Sequence, residues 1–200
     1  MRRAGDKPSF EQYVGSLPGG LDAYPNAVAK GSLVRSALQD QPPEVLAALP
    51  EPLRRWTSEP PFDSEWVSET RLSALIHAIA ELRGWDAGDC QEWTRQRNVA
   101  LLTSPIYRSL MVTESPERML RWIAMRWANF HRGSSLAFEG FADDGARLSL
   151  TFPSRVYDGT VLRAGGGAFA AALQVSNAEG AVVVEVERAG DGYARYRARW

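Results

Sequence analysis

The fold is decided by the C-terminal part of the chain, in which the spacing of apolar residues changes from helical to alternating and back. Residues 115–133 read SPERMLRWIAMRWANFHRG, and residues 135–153 read SLAFEGFADDGARLSLTFP. Residues 158–175 read DGTVLRAGGGAFAAALQV, and residues 181–200 read AVVVEVERAGDGYARYRARW. Helical spacing in the first and third segments and alternation in the second and fourth predict the order helix, hairpin, helix, hairpin.

The first of these helices is predicted to be central. Ser115 and Pro116 form a start signal, and Gly133 ends the segment at about Arg132. Apolar side chains cover more than half of its circumference, which is typical of a helix that packs on two sides. They are Met119, Leu120, Trp122, Ile123, Ala124, Trp127 and Phe130.

Each hairpin has one apolar and one polar face. In the first hairpin, Leu148 and Leu150 alternate with polar residues. In the second, valines alternate with glutamates on one strand, and Tyr196, Ala198 and Trp200 alternate with arginines on the other. The pattern predicts Glu–Arg pairs on the wet face, which set the register, and a docked C-terminal tryptophan.

The second helix, predicted from Val161 to about Val175, contains Gly165, Gly166 and Gly167. Each glycine costs roughly 1 kcal/mol against alanine in a helix interior, so the run needs a reason. The alternatives are close approach of the backbone to a neighbour, a kink, and a ligand cradle, and we favour close packing or a kink. A phosphate loop would need a preceding strand and a Lys-Ser/Thr pair, which the segment lacks.

The rest of the chain predicts helices and loops. Residues 1–29 hold prolines and glycines among isolated aromatic residues, and we interpret them as a loosely ordered N-terminal arm. Residues 30–112 predict a helical layer of short segments separated by prolines, with one longer helix that ends at Gly84. We therefore predict an α+β fold, in which this layer packs on the unit of residues 113–200 with its small antiparallel sheet, so that residues 30–200 form one domain.

Composition excludes several classes of protein. The 200 residues are 44% hydrophobic with a net charge of −1, which describes a soluble globular chain without overall attraction for nucleic acid. The single cysteine, Cys90, excludes an internal disulfide, and no window approaches the roughly 18 apolar residues of a membrane span. We expect a cytoplasmic protein with neither a nucleic-acid partner nor a membrane span.

The sequence shows no catalytic or metal-binding constellation. His77 and His131 lie on separate predicted helices, and neither His-x-x-x-His nor Cys-x-x-Cys spacing occurs. His77 lies off the apolar stripe of its helix and is predicted to flank it or to lie at the surface. Ser134 is not a nucleophile elbow, because a strand should precede that serine and a helix follow it. We expect no enzyme, no metal and no cofactor.

The aromatic content is high, with seven tryptophans in 200 residues. A large core is one interpretation. The functional interpretation is an apolar pocket between the central helix and the hairpins, with Arg108, Arg126 or Arg155 as the polar group at its mouth. The pocket candidates are Tyr107, Arg108, Trp122, Arg126, Trp127, Phe130 and Phe169.

Short motifs spread over residues 28–200 carry a resemblance to known proteins. They include Lys30-Gly31, Ser104-Pro105-Ile106-Tyr107-Arg108, Met119-Leu120, Asp144-Gly145-Ala146-Arg147-Leu148, Val184-Glu185-Val186 and Tyr196-Arg197-Ala198-Arg199-Trp200. With these motifs the chain resembles a paralogous family of uncharacterised myxobacterial proteins. Its C-terminal half is similar to the superfamily of haem-nitric-oxide-binding domains, vinyl-reductase-type domains and Bet-type vesicle-tethering subunits.

This resemblance implies an α+β fold whose crevice, between helical layer and sheet, holds an apolar ligand or stays filled. It does not carry haem to this chain. The haem-binding members use a Tyr-x-Ser-x-Arg motif, and the nearest string here, Tyr193-Ala194-Arg195-Tyr196-Arg197, has an arginine in place of the serine. No proximal histidine is matched either.

The leading interpretation is a non-enzymatic cytoplasmic sensor or signalling module that binds a small apolar or aromatic molecule beside Trp122, Trp127 and Phe169. The alternative is a protein-interaction or dimerisation module, which would use an exposed apolar face or the edge of the sheet. An enzyme ranks third.

Overall fold

The predicted α+β fold is confirmed by the computed structural model, which combines helices with two antiparallel sheets. The helices are α1 Phe10–Ser16, α2 Gly31–Leu38, α3 Pro43–Ala48, α4 Glu51–Ser58, α5 Glu69–Arg83, α6 Ala87–Leu102, α7 Pro116–Arg126 and α8 Gly159–Val175, with short 3-10 turns at Gly20–Asp22 and Trp127–Asn129. The strands are β1 Val28–Lys30, β2 Trp66–Ser68, β3 His131–Arg132, β4 Ser135–Ala142, β5 Gly145–Thr151, β6 Val183–Gly190 and β7 Tyr193–Arg199. The structure describes residues 7–39, 41–103, 115–142, 145–176, 178 and 180–200. Among these residues, no helix is both long enough and apolar enough to cross a membrane.

The larger sheet joins the two predicted hairpins in the order β4-β5-β7-β6. Its apolar face carries the alternating residues that the sequence predicted, with Leu148 paired opposite Tyr196 and both side chains buried. On the wet face Arg199 forms a salt bridge with Glu185, with a nitrogen–oxygen distance of 2.9 Å. Trp200 packs against the core of this unit, so the docked C-terminus is confirmed.

The glycine run in α8 is explained by close packing. The helix is continuous from Gly159 to Val175, so no loop splits it at the glycines. A Cβ atom added at Gly167 would lie 2.1 Å from the backbone oxygen of Gln91 in α6. The Gln91 side chain also donates a hydrogen bond of 2.8 Å to the backbone oxygen of Val184. Close packing holds α6 against both α8 and β6.

The helix at residues 116–132 is not the central element. It ends at Arg126 and continues as a 3-10 turn and the short strand β3. Its buried residues are Pro116, Met119 and Leu120, whereas Met125 is 72% exposed. The prediction was wrong because apolar residues of a helix, a turn and a strand were counted as one helical stripe. The central helices are α5 and α8, which are buried along most of their length.

The described part of the expected N-terminal arm is packed rather than loose. Residues 10–16 form α1, and the buried Tyr13 donates a hydrogen bond of 2.8 Å to the backbone oxygen of Val156. Residues 1–6 lie outside the described residues. The sequence also did not predict the small sheet, in which β1 pairs antiparallel with β2 and with β3. The division at residues 30 and 113 stays a prediction.

His77 is a further correction, because it was predicted to flank the apolar stripe or to lie at the surface, whereas its side chain is buried. It is 2% exposed, and its ring stacks on that of Tyr13 with a centroid distance of 4.7 Å. The reason is that α1 covers the face of α5 that the apolar stripe leaves open. The His77 Nε2 lies 3.0 Å from the Asp158 Oδ2, which is an ion-pair distance.

Asp158 connects this histidine to α8. Its carboxylate accepts hydrogen bonds of 3.0 Å from the backbone N–H groups of Thr160 and Val161, as an N-cap. Burial alone would raise the pKa of this carboxyl, but His77 and the two N–H groups together hold it below its ordinary value. One ionised carboxylate therefore caps α8 and faces α5.

We expect Gly167→Ala to lower the free energy of unfolding by about 1–3 kcal/mol, because its Cβ would overlap the Gln91 carbonyl in the α6 backbone. Gly166→Ala is the matched control, since its Cβ would meet neighbours at 3.6 Å and should gain up to about 1 kcal/mol of helix propensity. Urea unfolding measures both. Equal effects of the two substitutions would contradict the close approach at Gly167.

We expect Asp158→Asn to lower the free energy of unfolding by about 1 kcal/mol at neutral pH, because asparagine keeps the cap but loses the charge that faces His77; the half-exposed carboxylate limits the effect. Since the pKa of Asp158 is lowered on folding, its contribution is present above the ordinary aspartate pKa of about 3.9. It is lost as the pH falls through the folded-state pKa.

Urea unfolding over a pH series measures this difference, which should shrink as the pH falls below about 4. The exposed Asp63, paired with Arg35, gives the control substitution Asp63→Asn, with a change within about 0.5 kcal/mol. A difference between wild type and Asp158→Asn that is independent of pH would show that the charge at Asp158 contributes nothing.

Candidate functional site

A cavity of about 160 Å³ lies where the helical layer meets the α+β unit. The helices α2, α5 and α6 line it from one side, and α8 lines it from the other. Leu150 and Tyr196 of the larger sheet also line the cavity, as do Trp127 and His131 of the segment that follows α7. The cavity therefore lies between the two layers, where the family resemblance implied a crevice. The aromatic content had instead predicted a pocket between the helix at residues 116–132 and the hairpins.

The walls of the cavity are mainly apolar and aromatic. Leu72 and Ile76 of α5 face it from the helical layer, and Trp127 and Phe169 face it from the other side. The rings of Trp127 and Phe169 have a centroid distance of 6.2 Å, and Phe169 meets Tyr196 edge to face at 5.0 Å. These contacts hold the aromatic wall in one arrangement.

One part of the lining is polar and buried. Glu69 is 2% exposed, and its Oε2 lies 3.1 Å from the Nδ1 of His131. The imidazole of His131 stacks on Trp127, with a centroid distance of 4.1 Å and an interplanar angle of 15°. The carboxylate and the aromatic wall therefore fix the orientation of His131.

The lining also includes two buried hydroxyl residues, Ser73, which is 1% exposed, and Tyr157, which is 7% exposed. Their oxygens have almost no accessible surface, and each has polar neighbours within the protein, namely Tyr13 beside Ser73, and Ser134 and Glu69 beside Tyr157. Burial, with the nearby charge of Glu69, raises the pKa of Tyr157 well above its ordinary value, so its hydroxyl stays protonated as a donor. The hydroxyl of Tyr196 donates a hydrogen bond of 2.9 Å to the backbone oxygen of Leu162.

A second group of polar residues lies at the partly exposed side of the cavity. Arg97 of α6 donates hydrogen bonds to the backbone oxygen of Gln39, at 2.5 Å, and to the Ser36 hydroxyl, at 3.2 Å. Its guanidinium also lies 5.8 Å from the ring centre of Trp93. These contacts connect α6 to α2 beside the cavity.

The structure brings two of the predicted pocket residues, Trp127 and Phe169, to the cavity. Trp122 packs instead against a small separate cluster that contains Met119 and Ala172. Neither Arg126, which is exposed, nor Phe130 is part of the lining. A role of these residues in ligand binding stays a prediction.

Of the arginines that were expected at the mouth, the two that the structure describes, Arg126 and Arg155, do not line the cavity. Tyr107 and Arg108 lie outside the described residues. The guanidinium of Arg155 donates a hydrogen bond of 3.0 Å to the backbone oxygen of Ser16, and Arg155 is not part of the cavity lining. Among the described residues, the arginine at the cavity is Arg97, which sequence reasoning missed.

Sequence reasoning also missed Glu69, Ser73 and Tyr157. A signal for the first two is present, because Glu69 and Ser73 are four residues apart and so share one face of α5. Both stand among the buried residues of a helix that is otherwise mainly apolar there. Polar residues at buried positions of an apolar helix indicate either a structural hydrogen bond or a ligand contact.

The fold is similar to that of solved H-NOX domains. An oxygen-binding H-NOX domain related to soluble guanylate cyclases, in its oxygen complex, is 15% identical with a TM-score of 0.55, over 84% of this chain and 90% of that chain. A Cs H-NOX mutant with 4-cyano-L-phenylalanine is 16% identical with a TM-score of 0.55, over 85% of this chain and 94% of that chain. An Fe(II) unliganded H-NOX mutant from K. algicida is 11% identical with a TM-score of 0.52, over 85% of this chain and 95% of that chain.

No protein-family model and no curated protein matches the chain. At 11–16% identity the solved structures establish an H-NOX-like fold and nothing beyond the fold. The resemblance to a myxobacterial paralogous family therefore stays a prediction.

The cavity does not fit a haem group. Pockets for drug-sized ligands measure about 300–1,000 Å³, whereas this one measures about 160 Å³. The rings of Trp127, Phe169 and Tyr196 pack into one another along its wall. His131 is the histidine in the cavity lining. Its Nδ1 is within hydrogen-bond distance of the Glu69 carboxylate, and one face of its ring stacks on Trp127. A smaller organic molecule fits this space better than a macrocycle.

Proposed function

We propose that this protein is a non-enzymatic binding or sensor module that takes a small apolar or aromatic molecule in the crevice between its two layers. The observation that carries the proposal is the 160 Å³ cavity with its wall of Trp127, Phe169 and aliphatic side chains. An engineered apolar cavity of about 150 Å³ in another protein stays dry and binds benzene or xenon. The volume therefore suits a ligand of one aromatic ring.

The similarity in fold supports a role in sensing. One solved structure is described as an oxygen-binding H-NOX domain related to soluble guanylate cyclases. Another is described as giving structural insights into the molecular mechanism of H-NOX activation. Fold similarity alone does not carry a ligand from one protein to another. We therefore take the sensor role from the analogy and the ligand class from the cavity.

The absence of a nucleophile–base contact supports a non-enzymatic role. Among the described residues, Glu69 and His131 form a carboxylate–imidazole pair, and no serine, threonine or cysteine side chain is hydrogen-bonded to either. A nucleophile activated by a base would need that contact. Within the residues that the structure describes, no group of three or more potential metal ligands occurs.

We also propose a cytoplasmic location. Cys90 is buried and free, and burial together with the nearby Asp89 and Asp86 raises the pKa of its thiol to about 12. Such a thiol stays protonated and inert, and a single unpaired cysteine suits a reducing compartment.

We expect benzene, toluene and ethylbenzene to raise the melting temperature of the protein and to change its tryptophan emission. The physical reason is that a ligand that binds only the folded state stabilises it by about 2.7 kcal/mol at one hundred times its Kd. Ala168→Leu places a larger side chain at the cavity lining and should abolish both effects. Ala100→Leu, on the exposed side of α6, is the matched control and should retain them.

The same preparation is titrated with hemin, and we expect no Soret band from a stoichiometric complex. The proposal fails if no aromatic probe shifts the melting temperature of the wild type. Haem binding at one equivalent would overturn the proposed class of ligand and leave the sensor role.

A dimerisation module is the second candidate function, and exposed apolar residues near a sheet edge favour it. Phe141 of β4 and Met125 of α7 are exposed large hydrophobic residues, and β4 is the outer strand of the larger sheet. A free strand edge beside apolar side chains is a site for pairing with a second chain.

We expect the wild type to approach the dimer mass in light scattering as its concentration rises, and Phe141→Ser with Met125→Ser to stay monomeric, because their apolar contact is lost. Phe62→Ser, in the loop before β2, is the control, since Phe62 is also exposed but lies outside β4 and α7. A wild type that is monomeric at every concentration excludes this candidate.

A further inference from the structure

His131 lines the cavity with a side chain that the protein pairs on one side only. Its Nδ1 lies 3.1 Å from the Oε2 of Glu69, and one face of its ring stacks on Trp127. Both of these neighbours line the cavity as well. The Nε2 edge and the second face of the ring are therefore the parts with which His131 can border the cavity space.

The Nε2 of His131 has accessible surface and no hydrogen-bond partner among the described residues. The side chain as a whole is 15% exposed, so this surface belongs to a ring that is otherwise packed. The hydroxyl groups of Ser73 and Tyr157 differ in this respect, because their oxygens are enclosed by the protein. The Nε2 of His131 is thus a polar atom of the lining that a ligand can reach.

The contact with Glu69 determines the role of this nitrogen. A carboxylate only accepts hydrogen bonds, so the Nδ1 of the neutral imidazole carries the proton and donates to Glu69. The Nε2 then holds a lone pair and is an acceptor. An acceptor in an otherwise apolar wall selects a ligand with an O–H or N–H group, because a ligand without a donor leaves the lone pair unsatisfied.

The charge and the size of the cavity limit the ligand further. The carboxylate of Glu69 is buried in the lining, so an anionic ligand would be repelled across a dry space. The volume of about 160 Å³ and the wall of Trp127 and Phe169 suit one aromatic ring. A neutral ring compound with one donor group meets all of these conditions.

We infer that the natural ligand is an uncharged aromatic compound of the phenol class, whose O–H or N–H group donates a hydrogen bond to the Nε2 of His131 while its ring lies against Trp127 and Phe169. This inference rests on the proposed function and narrows its ligand class. The ring supplies affinity and the donor supplies selectivity, because the donor gives up its hydrogen bonds to water and regains one at His131.

The test compares phenol, toluene and benzonitrile, using titration calorimetry on the full chain. Phenol and toluene have nearly the same shape and differ in a hydroxyl group against a methyl group. A purely apolar cavity would prefer toluene, because a hydroxyl without a partner is costly to bury. We expect the wild type to bind phenol at least as tightly as toluene. Benzonitrile offers an acceptor and no donor, and it should bind more weakly than phenol.

His131→Phe keeps a ring beside Trp127 but has no ring nitrogen. It should weaken the binding of phenol about tenfold relative to that of toluene, as expected for one lost hydrogen bond. Arg132→Gln is the matched control, because Arg132 is the next residue of β3 and its guanidinium lies 4.0 Å from the ring centre of Trp66. It should keep the wild-type ratio of the two affinities. Toluene binding shows that each variant is folded.

A second measurement needs no substitution. The chain has two histidines, so the imidazole nitrogens of the isotope-labelled protein give few NMR signals. Phenol should shift the Nε2 signal of His131 more than toluene does. The signals of His77, which lies between Tyr13 and Asp158, should stay in place with both compounds and serve as the internal control.

The outcomes separate this inference from the proposed function. If the wild type binds toluene more tightly than phenol, or if His131→Phe keeps the wild-type ratio of the two affinities, the donor inference is overturned and the apolar pocket stands. Tighter binding of benzonitrile than of phenol would also overturn it, because His131 would then act as a donor. If no probe binds the wild type, both fail.

Discussion

The structure depends on one carboxylate that serves two elements at once. Asp158 accepts hydrogen bonds from the first N–H groups of α8 and faces the buried imidazole of His77 in α5. His77 in turn stacks on Tyr13. The Tyr13 hydroxyl donates a hydrogen bond to the backbone oxygen of Val156, two residues before Asp158. This closed set of contacts joins α1, α5 and the start of α8. It positions two walls of the cavity, because α5 and α8 each contribute several of the lining residues.

Much of the C-terminal fold could be predicted from the sequence, because period and turn signals act locally. The hairpins and the capped helix α8 follow from alternation, from turn residues and from Asp158. The features that the sequence did not predict depend on contacts between distant segments. His77 is buried because α1 covers it. The strands β1 and β2 have three residues each, and they form because the two segments pair with each other. A run of apolar residues after α7 does not reveal where helix changes to turn.

The candidate site could be predicted only in part. Aromatic content indicated a pocket between the helix at residues 116–132 and the hairpins, and of the residues named for it Trp127 and Phe169 line the cavity between the layers. The polar groups could not be found by motif, since Ser73 and Tyr157 are separated by more than eighty residues and have no diagnostic spacing. Their relation exists only after α5 and the loop before α8 have packed together. A buried polar residue on an apolar helix, such as Glu69, was the one local sign of it.

The contact at Gly167 also determines how one wall of the cavity is built. With backbone atoms of α6 and α8 this close, and with Gln91 bonded to β6, these helices cannot slide past each other without a clash. Although α6 belongs to the N-terminal half of the chain, these contacts pack it with α8 and the sheet. Both helices also line the cavity, so a substitution that separates them at Gly167 would change the cavity wall as well.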